Sequence, residues 1–377
     1  MIPFLDLKAV NDRFGDQISR AINRVANSGL YIGGPELDRF ENLMKKITGA
    51  PEVVPVANGT DALTLILEGL ITLGQLKPGD EIIIPANTYI ASFIAVWRAG
   101  LRPVPVDADP LTMNIDFSKI EDSISPATKA IMTVHLYGLI AFDPILIDLK
   151  NRYGLVIIED CAQAIGAKSI IKGLCSNVAG GLGDVAAFSF YPTKNIGALG
   201  DGGAVVTGNT QLAKTIRTLA NYGSDRRYHN IYKGVNSRLD AMQAAVLNVK
   251  LPCIDEITMR RIKRAEKYCH LINNPLITLP CSPGSGQHIY HQFVIRTQDR
   301  DSLRRFLYDN GIETDCHYNV AAIDQPCCSG EFKGDFNVTR QIAATCVSLP
   351  IGDHLSDGQI GTIADAINAF SGSGPIN

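Results

Sequence analysis

The 377-residue chain has no strong charge of either sign: 35 lysines and arginines stand against 38 acidic residues, a formal net charge of -3. The basic excess expected of a nucleic-acid binder is missing, and no run of like charges stands out. Any grip on an anionic ligand is therefore expected to be local. There is also no apolar segment long enough to span a bilayer, and the opening Met1-Ile2-Pro3-Phe4-Leu5-Asp6-Leu7-Lys8 has no basic region leading into one. A cytoplasmic protein without a membrane partner is the expectation. The nine cysteines are scattered and include the adjacent pair Cys327-Cys328. They form no CxxC pair and no zinc-type Cys/His spacing, so they read as reduced thiols and no metal is expected. No GxGxxG opens a βαβ unit, which disfavours a dinucleotide-dependent dehydrogenase. Internal repeats and low-complexity tracts are absent.

What is present is a large apolar share, 46% of residues against 19% charged. That is enough for a substantial core and for one large domain plus a smaller one. From about residue 50 to 210, short Val/Ile-rich runs alternate with helical patterns, which predicts an α/β layer structure with a seven-stranded, mostly parallel sheet. The runs are Val53-Val56, Glu81-Ile84, Pro103-Val106, Ala130-Val134, Leu155-Glu159, Ala186-Phe190 and Gly203-Thr207. Ligands of such sheets gather beyond the carboxyl ends of the strands. Long helices are predicted over Ser237-Lys250 and Ile254-Ile272, broken at Pro252. The boundary is drawn there, giving a large domain over 1–251 and a small α+β domain over 252–377. Within the latter the pattern predicts strand Gln292-Arg296, helix Arg300-Asp309, strand Glu313-His317 and two helices ending near Phe370. The tail Ser371-Asn377 is expected to be disordered.

Three segments carry chemistry. In Val53-Val54-Pro55-Val56-Ala57-Asn58-Gly59-Thr60-Asp61-Ala62-Leu63, a strand turns into an amphipathic helix. Gly59 lets backbone approach a phosphate, and Thr60 and the free N–H groups of the first helical turn face it. The Asp61 carboxylate is expected to turn away or cap the helix while its N–H contributes. In Leu155-Val156-Ile157-Ile158-Glu159-Asp160-Cys161-Ala162-Gln163, two carboxylates end an apolar strand. Side chains alternate across a strand, so one of the two points into a given crevice, where it suits a metal, a ribose or a protonated ring nitrogen. In Phe188-Ser189-Phe190-Tyr191-Pro192-Thr193-Lys194-Asn195-Ile196-Gly197, a lysine follows an apolar strand directly. Desolvation lowers the pKa of such a lysine, and a neutral amine can form a Schiff base with a carbonyl cofactor. Taken singly, each segment has an ordinary structural reading: a common α/β turn, a solvated strand end, a loop lysine. Together they set a phosphate cradle, an acid and an amine in the order expected of a pyridoxal 5′-phosphate (PLP) enzyme of fold type I, the acid preceding the lysine by 34 residues.

From its first residues to about Phe370 the sequence resembles the DegT/DnrJ/EryC1/StrS sugar aminotransferases, a family of the aspartate aminotransferase-like fold. The family's NGTxAL, EDxAQ and FSFYPxKNxGxxGDGG segments match Asn58-Leu63, Glu159-Gln163 and Phe188-Gly203. The resemblance implies that Lys194 is the aldimine lysine, Asp160 pairs with the ring nitrogen, Gln163 lies near the ring 3-hydroxyl, and Gly59, Thr60, Asp61 and Ser189 hold the phosphate. Tyr89 matches the aromatic position that stacks on the ring. Relatives that dehydrate carry histidine in place of the lysine, so Lys194 points to transamination through pyridoxamine 5′-phosphate. In GxNSRLDxxQA, matched from Gly234 to Ala244, the asparagine is Asn236, implied to reach the neighbouring subunit's phosphate in a homodimer with shared active sites. Tyr31, Tyr191, His229, Arg238, His317 and Tyr318 are the implied substrate contacts, His317 and Tyr318 from across the subunit boundary. Where relatives read HYPxPxHxQP, this chain reads His317-Tyr318-Asn319-Val320-Ala321-Ala322-Ile323-Asp324-Gln325-Pro326, with Ile323 at the second histidine. The implied reaction moves an amino group from L-glutamate to a nucleotide-linked keto sugar. C-3 of a dTDP-3-keto-6-deoxyhexose is the first choice, with a UDP-linked 3-keto-2-acetamido uronic acid or a C-4 ketone as alternatives. A PLP-binding regulatory protein without transamination is the reading from another class.

Overall fold

The computed structural model describes residues 1–171, 176–282, 286–328 and 330–372. At its centre are seven strands: β1 (Glu52–Val56), β2 (Glu81–Pro85), β3 (Arg102–Val106), β4 (Thr128–Val134), β5 (Val156–Asp160), β6 (Val185–Ser189) and β7 (Gly203–Thr207), in the spatial order β1-β7-β6-β5-β4-β2-β3. β7 runs antiparallel to both its neighbours, β1 and β6, and the other pairings are parallel. All seven expected strands are present, with ends within two residues of the expected ones.

The strands read as unbroken apolar runs because both faces of the sheet are covered. Along β1 and β6, alternate residues enter opposite cores: Val54, Val185 and Ala187 pack with the helices Gly59–Thr72, Ala91–Arg98 and Thr210–Leu219. Val53, Ala186 and Phe188 pack with Gly15–Ser28, Pro35–Thr48 and Ala241–Lys250. The helices at Leu7–Asp12, Gly15–Ser28 and Pro35–Thr48 were not among the sequence expectations.

A separate apolar cluster gathers Ile262, Tyr268, Leu303, Ile360 and Ile367 around β10 (Phe293–Arg296) and β11 (Cys346–Leu349). These two strands pair antiparallel, and the short β8 (Ser224–Arg226) and β9 (His229–Asn230) form a hairpin of their own. Helix Arg300–Asp309 has the expected bounds, and helices Asn337–Thr345 and Asp357–Ala369 close the described chain. Two expectations need correction. Residues 313–317 form no strand: Asp315 makes one bridge, to Ser348. The helix expected from Ser237 begins at Ala241, because the Ser237 side chain is held outside it, accepting from the Ala57 N–H and donating to Asp61 Oδ2. Of the tail, 373–377 lie outside the described residues. Among the described residues no helix is long and apolar enough to cross a membrane, and eight cysteines are free thiols.

Candidate active site

The register of the sheet brings one edge together. Val134 at the end of β4 pairs with Asp160 at the end of β5, and Asp160 with Ala187 of β6. Ser189 at the end of β6 pairs with Gly203, the first residue of β7, which also pairs with Val56 at the end of β1. Because β7 runs backwards, its start lies at the carboxyl edge of the other strands. A cavity of about 410 Å³ opens there, lined among others by Gly59, Thr60, Tyr89, Asp160, Gln163, Ser189, Tyr191, Lys194, His317 and Tyr318.

At one end of this cavity lies the Asn58-Gly59-Thr60 turn that follows β1. Asn58, extended, caps the Gly59–Thr72 helix by accepting the Asp61 N–H on Oδ1 at 2.8 Å. Gly59 lies so close to β6 that a Cβ on it would come within 2.7 Å of the Ser189 Cβ, and a Cβ on Gly203 would come within 2.4 Å of the Asn58 carbonyl carbon. Only glycine fits at either position. The Asp61 side chain turns away from the cavity to Ser237 and does not line it. Its N–H, expected to face an anion, is instead taken up by the Asn58 cap, because an N-cap oxygen satisfies the orphan donor first.

Glu159 and Asp160 separate as strand alternation requires. Asp160 faces the cavity, almost fully buried, with Oδ2 accepting from Ser92 Oγ at 3.0 Å and Oδ1 from the Ala162 N–H at 3.1 Å. Burial raises its pKa, against the pull of those two donors and of the Lys194 charge. Glu159 points the other way and ties down a loop, accepting the N–H groups of Gly180, Leu182 and Gly183. It also contacts His135 Nε2 at 2.9 Å. Because His135 Nδ1 accepts from the Ala141 N–H at 2.9 Å, the ring proton is on Nε2 and goes to Glu159. His135, Glu159 and Cys161 lie close enough to suggest a metal site, but these hydrogen bonds already occupy the histidine and carboxylate atoms.

Lys194 follows β6 in a tight loop, its N–H bonded to the Tyr191 carbonyl at 2.8 Å. Burial lowers its amine to a pKa of about 8, and only the Asp160 charge opposes the shift. At pH 7 about one such amine in ten is neutral, against roughly one in three thousand at an ordinary lysine pKa. The site thus holds a nucleophilic amine and a buried carboxylate of opposite charge, which is suited to a carbonyl cofactor with a basic ring nitrogen.

Gln163 is oriented by its neighbours: Oε1 accepts the Tyr137 N–H at 2.5 Å and Nε2 donates to Tyr318 Oη at 3.1 Å. The Tyr89 ring, half exposed, leans on that of Tyr318 with centroids 5.3 Å apart, leaving an aromatic face at the mouth. His317 Nδ1 lies 2.8 Å from Ser348 Oγ, and burial lowers its pKa. His291, also lining the cavity, is pushed well below the usual histidine range by burial and the nearby Lys194 and Arg261 charges. Burial thus favours the neutral form of both rings.

The remaining sites of the sequence reading lie outside this cavity. Tyr31 is exposed and donates to the Ala26 carbonyl. His229 is exposed, with Nδ1 2.6 Å from Asp225. Arg238 donates to Asn221 Oδ1 at 3.1 Å beside the Tyr222 ring, and Asn236 is exposed. Ile323 is buried in the apolar cluster with Ala321, Ala322 and Phe336, away from the cavity lining. The lining or supporting residues that escaped sequence reasoning include Asn58, Ser92, Tyr137 and His291. The first had a signal, an asparagine just before a helical pattern. Ser92, in the first turn of the Ala91–Arg98 helix, carried no such signal. The other two depend on tertiary contacts alone.

The DegT/DnrJ/EryC1/StrS aminotransferase family matches residues 12–368. The chain belongs to this family. It is 44% identical over 370 residues, covering 98% of this chain and 99% of the relative, to a dTDP-3-amino-3,6-dideoxy-alpha-D-galactopyranose transaminase from Aneurinibacillus thermoaerophilus. Its structure resembles that of DesV from Streptomyces venezuelae, crystallised in complex with a ketimine intermediate, with a TM-score of 0.92 at 43% identity over 97% of each chain. NtdA from Bacillus subtilis, with the cofactor PMP bound, superposes with a TM-score of 0.88 at 30% identity, covering 97% of this chain and 84% of that one. This aminotransferase thus uses PLP, alternating with the pyridoxamine form. The amine, buried acid and glycine-lined cradle described above fit that cofactor.

Proposed function

We propose that this aminotransferase carries an amino group from L-glutamate to C-3 of a dTDP-linked 3-keto-6-deoxyhexose. The observation that carries the reading is the Lys194 amine, made partly neutral by burial, set in one cavity with Asp160 and the Asn58-Gly59-Thr60 turn. When bound, PLP supplies an aldehyde and a ring able to take up electrons. In this reading Gly59, Thr60 and Ser189 bind the phosphate, Asp160 keeps a proton on the ring nitrogen, Gln163 faces the 3-hydroxyl and Tyr89 covers the ring. Lys194 moves the proton to and from the substrate carbon. The C-3 sugar choice is supported by the dTDP-3-amino sugar transaminase at 44% identity and by the Ile2-Lys8, Tyr31-Glu36 and Tyr222-Arg238 segments.

A second copy of the chain belongs to this reading. Leu30, Tyr31, Ile32, Tyr222, Ile231, Tyr232 and Val235 are all more than a third exposed, an apolar set of the kind that protein interfaces cover. A homodimer that buries these residues brings Asn236, Tyr31, His229 and Arg238 to the neighbour's cavity, while His317 and Tyr318, expected to reach across subunits, line the chain's own with Tyr191. The division into domains at residues 251 and 252 and a cytoplasmic location, consistent with free thiols, complete the proposal. A UDP-linked 3-keto-2-acetamido uronic acid is the second reading, favoured by the exposed Asp225-Arg226-Arg227-Tyr228-His229 run.

The test is a screen of dTDP- and UDP-linked 3-keto and 4-keto sugars with L-glutamate as donor, with products identified by mass spectrometry and NMR. A 3-amino dTDP sugar is the expected product. Conversion of the UDP uronic acid alone would replace the first reading with the second. An absorption band that L-glutamate leaves unchanged, with no product from any sugar, would point to a non-catalytic PLP binder.

A further inference from the structure

Lys250, the last residue of the Ala241–Lys250 helix, is a buried cation: it is 4% exposed, and burial lowers its pKa to about 8. Its Nζ makes two hydrogen bonds of 2.6 Å, to the Gly197 carbonyl and to Asn11 Oδ1, both neutral acceptors. Among the described residues it has no ion pair, and burial is the cause of its shift, with no carboxylate acting against it. A buried ammonium without a counter-ion is costly, so what it holds in place matters.

One acceptor belongs to the loop that carries Lys194. That loop is closed on itself: the Lys194 N–H bonds to the Tyr191 carbonyl and the Ala198 N–H to the Phe190 carbonyl, each at 2.8 Å. A Cβ on Gly197 would sit 2.3 Å from the Pro192 oxygen, so the Gly197 backbone lies directly against Pro192, two residues before Lys194. The other acceptor is oriented for its task. Asn11 Nδ2 donates to the Leu7 carbonyl within the Leu7–Asp12 helix, which leaves Oδ1 to face Lys250. Lys250 and Lys194 also border one small cavity of about 30 Å³ with Asn195 and Arg261.

We infer that Lys250 is a positioning residue, a latch that pins the Lys194 loop to the amino-terminal helix and holds the Lys194 amine where an incoming aldehyde reaches it. The inference rests on the reading of Lys194 as the amine that captures PLP. Lys250→Met keeps the length and apolar stem and removes both hydrogen bonds. Apoprotein of the wild type and of Lys250→Met is mixed with PLP, and the absorbance of Lys194-bound cofactor is followed as amine and aldehyde condense with loss of one water. Binding of pyridoxine 5′-phosphate, which has an alcohol in place of the aldehyde, is measured in parallel and reports the cavity alone. The latch predicts capture at least ten-fold slower in Lys250→Met, with pyridoxine 5′-phosphate affinity within two-fold of wild type. Capture at the wild-type rate, or slowing matched by an equal loss of affinity for the alcohol, would overturn it. Should Lys250→Met fail to fold, Asn11→Ala takes its place. A two- to five-fold slowing is then expected, and an unchanged rate overturns the inference. Wild-type protein that never captures PLP refutes the reading of Lys194 instead.

Discussion

At the scale of the residue, two groups set the chemistry and each affects the other's titration. Burial lowers the Lys194 amine to about 8 and raises the Asp160 carboxyl, and the two opposite charges resist these shifts. Capture of an aldehyde needs the neutral amine, so the rate of PLP capture by apoprotein should rise about ten-fold per pH unit up to about 8 and then level off. A rate still climbing steadily to pH 10 would mean an ordinary solvated lysine. The sign for stability is the same. The folded form releases its proton near 8 and the unfolded form near 10.5, so the favourable contribution present above 10.5 is lost as pH falls through about 8. Asp160→Asn separates the two roles of the carboxylate. Without its charge nothing opposes desolvation, and the midpoint of the capture profile moves below 8, while turnover falls by at least about 100-fold for want of an acid to hold the ring proton. A midpoint moved upward would show that the two side chains do not interact as described. Lys194→Ala should abolish turnover in a steady-state assay, and normal turnover would remove the assignment.

At the scale of the element, the site depends on β1, β6 and β7 meeting at one edge with no side chain between β6 and the cradle. Gly59→Ala forces a Cβ to 2.7 Å from that of Ser189, so the helix start must retreat from β6. The expected cost is roughly 1–3 kcal/mol of stability, with an at least ten-fold loss of PLP affinity measured by equilibrium titration. Unchanged affinity would mean that the turn does not hold the phosphate. This edge was legible in the sequence because a parallel sheet covered on both faces writes its strands as unbroken apolar runs, and because turn residues follow most of them. Asp160, Lys194 and Gly59 could be found from their places at strand ends. Other parts were hidden for physical reasons. β11 is four residues, Cys346–Leu349, directly after the helix ending at Thr345, too short to show a period. The 313–317 segment, Glu313-Thr314-Asp315-Cys316-His317, is polar and meets its neighbour at one bridge only, at Asp315. Tyr137 reaches Gln163 through its backbone N–H, with a left-handed φ of 59°, and its hydroxyl donates to the His317 carbonyl. No pattern of side-chain types encodes either contact.

At the scale of the whole molecule, one chain supplies a cavity with amine, acid and cradle but leaves Asn236, Arg238, His229 and Tyr31 outside it among exposed aromatic and aliphatic residues. That separation motivates the proposal of a site shared between two subunits, and mixing inactive variants tests it. Suppose Asn236 serves the neighbouring site, and Lys194→Ala and Asn236→Ala subunits are co-expressed with different tags. In the mixed dimer one site then carries both lesions. The other combines the intact Lys194 of one subunit with the intact Asn236 of its partner. Purified mixed dimers should recover close to half the wild-type activity, and a random population of all dimers about a quarter. If Asn236 acts within its own chain, every site in the mixed dimer is damaged and no activity returns. The two outcomes differ by far more than assay error, provided that Asn236→Ala alone lowers turnover at least ten-fold. An Asn236→Ala homodimer as active as the wild type would itself remove Asn236 from the site.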